Sequence, residues 1–454
     1  MNEPLNTTGQ SPLDAALARL ATLHPKKIDL GLERIERVLK ALDNPQFKLP
    51  PVIHIAGTNG KGSTVAFLKA MVEAQGLKAH VYTSPHLVHF RERIVVGSQE
   101  ISDDMLIDVL TRVETANDGK PLSFFEATTA AAYLAFSETS ADVAIIEVGL
   151  GGRYDATNVI EHPSAVGITP IAYDHAEFLG RDLAGIAREK AGIFKWHAPI
   201  FIGAQSDLAN AVLDAEASKF NAVPKIFGQD FRSYIEQGRM VFEDESQVMD
   251  LPLPGLVGSH QIQNAGLAIA LATHLQLKPA SISKGLNRVS WPARMQPITR
   301  GPLYDMVKDI NGELWLDGGH NPHAGQVLAS TVTSLEARSP RPLILVMGIL
   351  ANKDVGGFLD NFKGVASGLI ALDISGHTSL APETLLELAR HRGLKGDVAD
   401  DLTQAVSKAL KLGVSQFKDE RDNPPRILIC GSLYLAGQVL ALSDIMSDIM
   451  SDIK

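Results

Sequence analysis

Gly57-Thr58-Asn59-Gly60-Lys61-Gly62-Ser63-Thr64 sets three glycines around one lysine and follows them with two hydroxyls. Glycine lets a backbone turn tightly and aim its N–H groups inward, and the N-terminus of a following helix adds partial positive charge. Such a loop cradles phosphate. Lys61 supplies a point charge for terminal phosphates, and Ser63 or Thr64 offers a hydroxyl to Mg2+. The strict phosphate-loop pattern ends Gly-Lys-Ser/Thr, whereas Gly62 here separates the lysine from the hydroxyls. The competing reading is a glycine turn with an exposed lysine. The apolar run VIHIAG before the loop and the helical period of GSTVAFLKAMVEAQ after it supply the strand and helix that a phosphate cradle requires, which favours nucleotide binding.

Other chemistry-bearing residues recur just beyond apolar runs. TSPHLVHFRER, Thr83 to Arg93, follows one of them, and ligands of open α/β sheets gather at strand carboxyl ends. DVAIIEVG puts Glu147 at a strand tip, where an NTPase places a metal-ordering carboxylate. A merely solvated charge fits less well after so apolar a run. The next loop holds Asp155 and Asn158, and TPIAYDHAEFLG carries Asp174 and His175. The helical stretch DLAGIAREKAGIFK carries Lys190. Taken alone, His175 reads equally as a structural histidine, and Lys190 as a surface lysine.

The elements that must position these groups alternate between β-rich apolar runs and helical period, the pattern of a mostly parallel sheet flanked by helices. Strands are expected at VIHIAG, AHVYTS, DVAIIEVG, SAVGIT and PIFIGA, with Gly76 ending the first intervening helix. DFRSYIEQGRMVFEDE reads as an antiparallel hairpin turning at Gln237-Gly238 and decorating the sheet's edge. Periodicity stops at VSWPARMQPITRGP, which places a linker around Trp291 to Gly301. Beyond it ELWLDGG, PLILVMG, GLIALDI and RILICGS start a second, smaller α/β (Rossmann-like) domain. The division falls at 1–296, with an N-terminal helical segment and the hairpin included, and 297–454. The SDIM repeats of the tail read as a frayed helix end or replication slippage.

Composition excludes several classes. With 42 Lys and Arg against 52 Asp and Glu, the net charge of −10 gives no global basic field for nucleic acid or an anionic membrane. One cysteine, Cys430, permits no intrachain disulfide and suits a reducing compartment. No basic leader precedes an apolar stretch and no apolar run is long enough to span a bilayer, so a cytoplasmic location is expected.

HIAGTNGKGS, TSPHLVHFRER, SFFEATT, EVGLGGRYDATN, DHAEFLG with IAREKAGIFK, GSHQIQNA, WPARMQP and LDGGHNP occur in that order over most of the chain. Together they resemble the folylpolyglutamate synthase/dihydrofolate synthase branch of the Mur ligase family. The resemblance implies that Ser63, Ser84 and Glu147 help hold Mg2+ and that His175 ligates a second Mg2+. It also implies that Lys190 is carbamylated by CO2, which turns a cation into an oxygen ligand suited to a hard metal. Asn264 and Arg294, read as facing ATP from the second domain's side, would meet adenine and phosphates, and Asp317 and His320 would close over them. Leu30, Phe124, Asp155 and Ala156 are carried over to the pteridine end, with core packing an equal reading for Phe124, and Arg91 to a substrate carboxylate. Two positions depart from the family pattern: Ala293 stands where glycine is usual in WPGR, and Gly319 where alanine is usual in DGAHNP.

The reaction implied is ATP-driven amide formation: a substrate carboxylate takes the γ-phosphoryl group, and the amine of L-glutamate displaces phosphate. The partners implied are ATP, L-glutamate and dihydropteroate or a reduced folate, with a monomer as the working state. The rivals are a folylpolyglutamate synthase alone, a peptidoglycan-precursor ligase of the same fold, a P-loop switch or motor, and a catalytically dead binding module.

Overall fold

The structure is a computed structural model and describes residues 11–22, 31–414 and 424–443. Leu30 and the tail beyond Ser443 lie outside the described residues. The expected runs form strands Val52–Ala56, Ala79–Tyr82, Val143–Glu147, Ala165–Ile168 and Ile200–Ile202. Val52–Ala56 and Val143–Glu147 are buried at every position, as continuous apolar strands covered on both faces must be.

They pair in parallel within an eight-stranded sheet. Its order is Gln99–Glu100, Ile94–Val96, Ala79–Tyr82, Val143–Glu147, Val52–Ala56, Ala165–Ile168, Ile200–Ile202, Lys225–Ile226. Ile94–Val96 pairs antiparallel with both of its neighbours. Ile55 pairs with Glu147, so the phosphate loop leaves the sheet beside the carboxylate. Helix Lys61–Ala74 and helices Ser259–His274 and Pro279–Arg288 cover one face; Phe124–Glu138 and Asp103–Asn117 cover the other. The first of these helices ends at Ala74, and Gly76 follows in left-handed backbone, φ 84°, as a C′ glycine does.

The hairpin forms as Phe231–Glu236 and Arg239–Asp244, turned at Gln237 and Gly238, both with positive φ. It is not an edge decoration. With Val248–Leu251 it makes a separate three-stranded sheet, whose Phe231, Met240, Phe242, Met249 and Leu251 bury against the core around helix Ser259–His274. Alternation gives such a strand one apolar face, and that face seeks a helix, not a sheet edge.

The C-terminal sheet has six strands, ordered Gln296–Pro297, Glu313–Leu316, Arg426–Cys430, Leu343–Met347, Gly368–Leu372, Lys395–Ala399. All but the first are parallel. Lys395–Ala399 escapes the apolar-run criterion because it is a partly exposed edge.

Candidate active site

The two sheets turn their carboxyl ends toward one cleft. In the first unit Lys61 opens its helix just after Gly60, which takes φ 87° and lies so close to Asn264 that a Cβ there would sit 2.4 Å from the Asn264 Oδ1. A glycine is required on both counts. Gly62 has helical backbone, but the Trp291 indole packs on it; a Cβ would fall 2.8 Å from the ring nitrogen. The inserted glycine that breaks the strict phosphate-loop pattern is therefore the seat of the linker's tryptophan.

A cavity of about 220 Å3 lies over this loop. It is walled by Thr58 to Ser63, Ser84, Glu147, Asp174, His175, Asn264, Arg294, Asp317 and His320. The structure thus brings together the residues expected at nucleotide and metal except Gly57, Thr64 and Lys190, which do not line this cavity. Thr64 faces away, fully buried, so Ser63 is the hydroxyl presented to the cleft. Gln261 donates to Ser63 at 3.3 Å and Asn264 donates to Gln261 at 3.0 Å. Asn264 does not come from the second domain's side: helix Ser259–His274 packs into the core of the first unit.

Lys61 Nζ stands 3.8 Å from Glu147 Oε1. Burial pushes the Glu147 carboxyl up to about 7 against the opposing charges of Lys61 and Arg294. A buried carboxylate that reluctant to ionise is suited to a divalent cation, whose charge would hold it anionic. Lys190 is buried and donates to the Gly57 carbonyl at 2.8 Å; burial, and then Lys61, bring its amine down to about 7. His175 has left-handed backbone, φ 52°, and titrates below an ordinary histidine through desolvation, with Asp174 opposing and Lys353 and Lys61 adding. Among the described residues no three His, Cys, Asp or Glu side chains form a ready metal cage. Mg2+ needs none when substrate phosphates supply most of its oxygens.

From the second unit, Asp317 accepts from the Met295 and Gly319 N–H groups, each at 2.7 Å, and so fixes the linker to the turn that carries His320. Arg294, between them, is flanked by Ala293 and Met295, both with positive φ. Ala293 thus holds the left-handed conformation in which glycine is the easy residue. Gly319 is not left-handed, and a Cβ there would meet three atoms at 3.0–3.1 Å, so alanine's methyl has only a tight fit.

A second cavity, about 590 Å3, opens on the other side of the same groups. It shares Gly62, Ser84, Glu147 and Arg294 with the first and continues past Trp291, Leu87 and Val95 to Lys69 and Gln99. Phe124, Asp155 and Ala156 line neither cavity. Phe124 packs edge-on against Phe90, centroids 5.7 Å apart. The Asp155 carboxylate accepts from Leu150 N, Thr157 N and Thr157 Oγ1, and so shapes its own loop. Arg91 is already paired with Glu100 and Asp103. Arg93 instead has no carboxylate within 4.0 Å among the described residues; it donates to His86 at 2.9 Å and lies over the Phe90 ring. Sequence reasoning also passed over Trp291 as a packing residue, and over Asn321, Lys353 and His323. Asn321-Pro322 was readable as a helix start, an N-cap followed by proline.

A phosphate cradle closed by a second parallel-sheet unit, with a roomy cavity on the far side of its acidic strand tip, is the layout of an ATP-dependent ligase. The family models for the Mur ligase middle domain and the Mur ligase glutamate ligase domain match residues 55–272 and 304–433. The chain is 33% identical over 435 residues to the dihydrofolate synthase/folylpolyglutamate synthase of Escherichia coli, covering 96% of each. It is 30% identical over 440 residues to the dihydrofolate synthetase of Saccharomyces cerevisiae, covering 91% of this chain and 98% of that one. Its fold superposes on E. coli FolC in complex with DHPP and ADP with TM-score 0.84 at 31% identity, covering 96% and 99%. A Yersinia pestis folylpolyglutamate synthase/dihydrofolate synthase complexed with AMPPNP and Mn ion gives TM-score 0.81 at 29% identity, covering 95% of this chain and 98% of that one. The chain belongs to the dihydrofolate synthase/folylpolyglutamate synthase branch of the Mur ligases.

Proposed function

We propose that this chain joins L-glutamate in amide linkage to the carboxylate of dihydropteroate, of reduced folates, or of both, at the expense of ATP. The observation that carries the reading is the meeting of two cavities at Ser84, Glu147 and Arg294. A switch or motor needs only the nucleotide cleft; a ligase must also bring a second reactant to the terminal phosphate.

In this reading the loop Gly57 to Ser63 holds the ATP phosphates, Asn264 and Arg294 border the nucleotide, and Lys61 neutralises charge on the transferring phosphoryl group. The acceptor carboxylate oxygen attacks the γ-phosphorus and ADP leaves. The glutamate amine then adds to the acyl carbon, loses its proton, and expels phosphate. Ser63, Ser84 and Glu147 would hold one Mg2+, and His175 with a carbamylated Lys190 a second. These ions supply charge neutralisation and alignment of the phosphate oxygens. Lys190 has the properties carbamylation requires, an enclosed amine lowered to about 7 and so substantially neutral near that pH. Asp317 positions the linker and His320 the closing turn. Asp155 would contribute to the pteridine end through the loop it shapes, with Ala156 beside it, and Phe124 through its packing on Phe90. We divide the chain near 296/297, the strand Gln296–Pro297 that straddles that point belonging to the C-terminal sheet, and take it to act as a monomer in the cytoplasm.

The test is ADP release by the purified protein with ATP, Mg2+ and L-glutamate, comparing dihydropteroate with tetrahydrofolate. Acceptor-dependent ADP release matched by a new glutamyl amide is expected. ADP release indifferent to both acceptor and glutamate would overturn the ligase reading in favour of a plain NTPase.

A further inference from the structure

Two of the segments that meet at the nucleotide cleft, the phosphate loop and the Asp174 loop, are held by one side chain of the second unit. Asn321, 2% exposed, accepts from Asn59 Nδ2 at 3.1 Å through its Oδ1 and donates to Asn59 Oδ1 at 3.0 Å, a reciprocal amide pair with the phosphate loop. The same Nδ2 donates to Asp174 Oδ2 at 3.0 Å, and the same Oδ1 accepts from Ala324 N at 2.9 Å and so caps the helix Pro322–Glu336. Every hydrogen-bonding position of this amide is used.

Its partners are themselves committed. Asp174 also receives Lys353 Nζ at 2.6 Å and faces His320 Nε2 at 3.4 Å. Asn59 Nδ2 is 2.8 Å from His323 Nδ1. Asn352 donates to Glu177 at 2.9 Å on the rim. An amide that must give two hydrogen bonds and accept two has one orientation only, and a neighbour displaced by an ångström leaves buried polar groups unpaired.

We propose that Asn321 is a positioning residue for the ligation reaction: it registers the phosphate loop, the Asp174 loop and the His320 turn against one another, so that the cleft is water-tight only when the second unit is seated on Asn59. The catalytic arm of this proposal rests on the ligase reading above. The scattering arm does not.

The test is Asn321→Asp. A carboxylate still accepts from Ala324 N and keeps the helix cap, but it loses both donated bonds and faces the oxygens of Asn59 and Asp174. Asn321→Ser keeps a capping hydroxyl without adding charge. Both variants should remain folded by circular dichroism, show an expanded small-angle scattering profile with ATP and Mg2+ present, and lose about 100-fold in amide formation. ADP release should now outrun amide formed, because water reaches the acyl phosphate. A purely structural role would lower both products together and leave their ratio unchanged. Asp174→Asn combined with Asn321→Asp, which exchanges donor and acceptor across the contact, should recover part of the loss. Variants whose scattering profile and ADP-to-amide ratio both match the wild type overturn the proposal. A wild type that forms no amide, with a variant that nevertheless expands, removes the ligase reading and leaves the positioning role standing.

Discussion

Replacing Gly62 by alanine adds one methyl group at the point where the linker rests on the phosphate loop. The new Cβ would lie 2.8 Å from the Trp291 indole nitrogen and 2.9 Å from two ring carbons. Comfortable contact is about 3.5–4.0 Å, so the indole must retreat by most of an ångström. Overpacking of this kind costs about 1–3 kcal/mol. Against it stands the preference of a helix for alanine over glycine, about 1 kcal/mol in the opposite direction. Global stability should therefore fall by no more than about 2 kcal/mol, whereas function should not escape, because Arg294 is three residues from Trp291 and borders both cavities. If the 1–3 kcal/mol falls on the active geometry, kcat/KM drops by about 5- to 150-fold. The assay is acceptor-dependent ADP release for Gly62→Ala, Trp291→Ala and the double variant, with thermal melts beside it. Removing the indole removes the clash, so the double variant should be better than the sum of the single losses predicts. Wild-type kcat/KM in Gly62→Ala, or losses that add within about 0.5 kcal/mol, would refute the contact as the reason for this glycine.

Lys61→Ala and Glu147→Ala should each abolish turnover while the protein stays folded by circular dichroism; measurable ligation by either would remove that residue from the phosphoryl-transfer step. Lys190 with an amine near 7 becomes more neutral as pH rises through that value, and only the neutral amine takes up CO2. A carbamate signal in 13C NMR with labelled bicarbonate should therefore grow between about pH 6 and 8 and be missing from Lys190→Ala, whose activity small carboxylic acids should partly restore. No such signal, or full activity in Lys190→Ala, counts against the modification. Ala293 holds φ 55° while fully buried, and alanine in left-handed backbone costs about 1–2 kcal/mol. Ala293→Gly should raise the unfolding midpoint in denaturant by about 1 kcal/mol equivalent, and a lowered midpoint would mean that the lost methyl packing outweighs the strain.

The alternation of apolar strands with helical stretches was readable because burial on both faces of a parallel sheet leaves every position of runs such as VIHIA and VAIIE buried, with no alternating set of solvent-facing residues. The phosphate loop, the strand-tip Glu147 and the left-handed turn at Gln237-Gly238 were legible for the same reason: each is a local demand of backbone or charge that few residue types meet. The exposed edge Lys395–Ala399 was not, since half-solvated strands need no apolar run.

What the chain alone determined was the inventory of chemistry and its order: the glycine-lined lysine loop Gly57 to Thr64, Glu147 at the end of an apolar run, and Lys190 in a later helical stretch. Only the tertiary structure decided which hydroxyl faces the cleft, that Arg91 pairs with Glu100 while Arg93 lies over the Phe90 ring, that Asn264 approaches from the first unit, and that Asn321 ties Asn59 to Asp174. Hydrogen bonds and ion pairs reach about 3 Å, so they depend on which distant segments the packing of two apolar cores brings to one cleft. Residues 262 apart in sequence carry no trace of that distance in their local pattern.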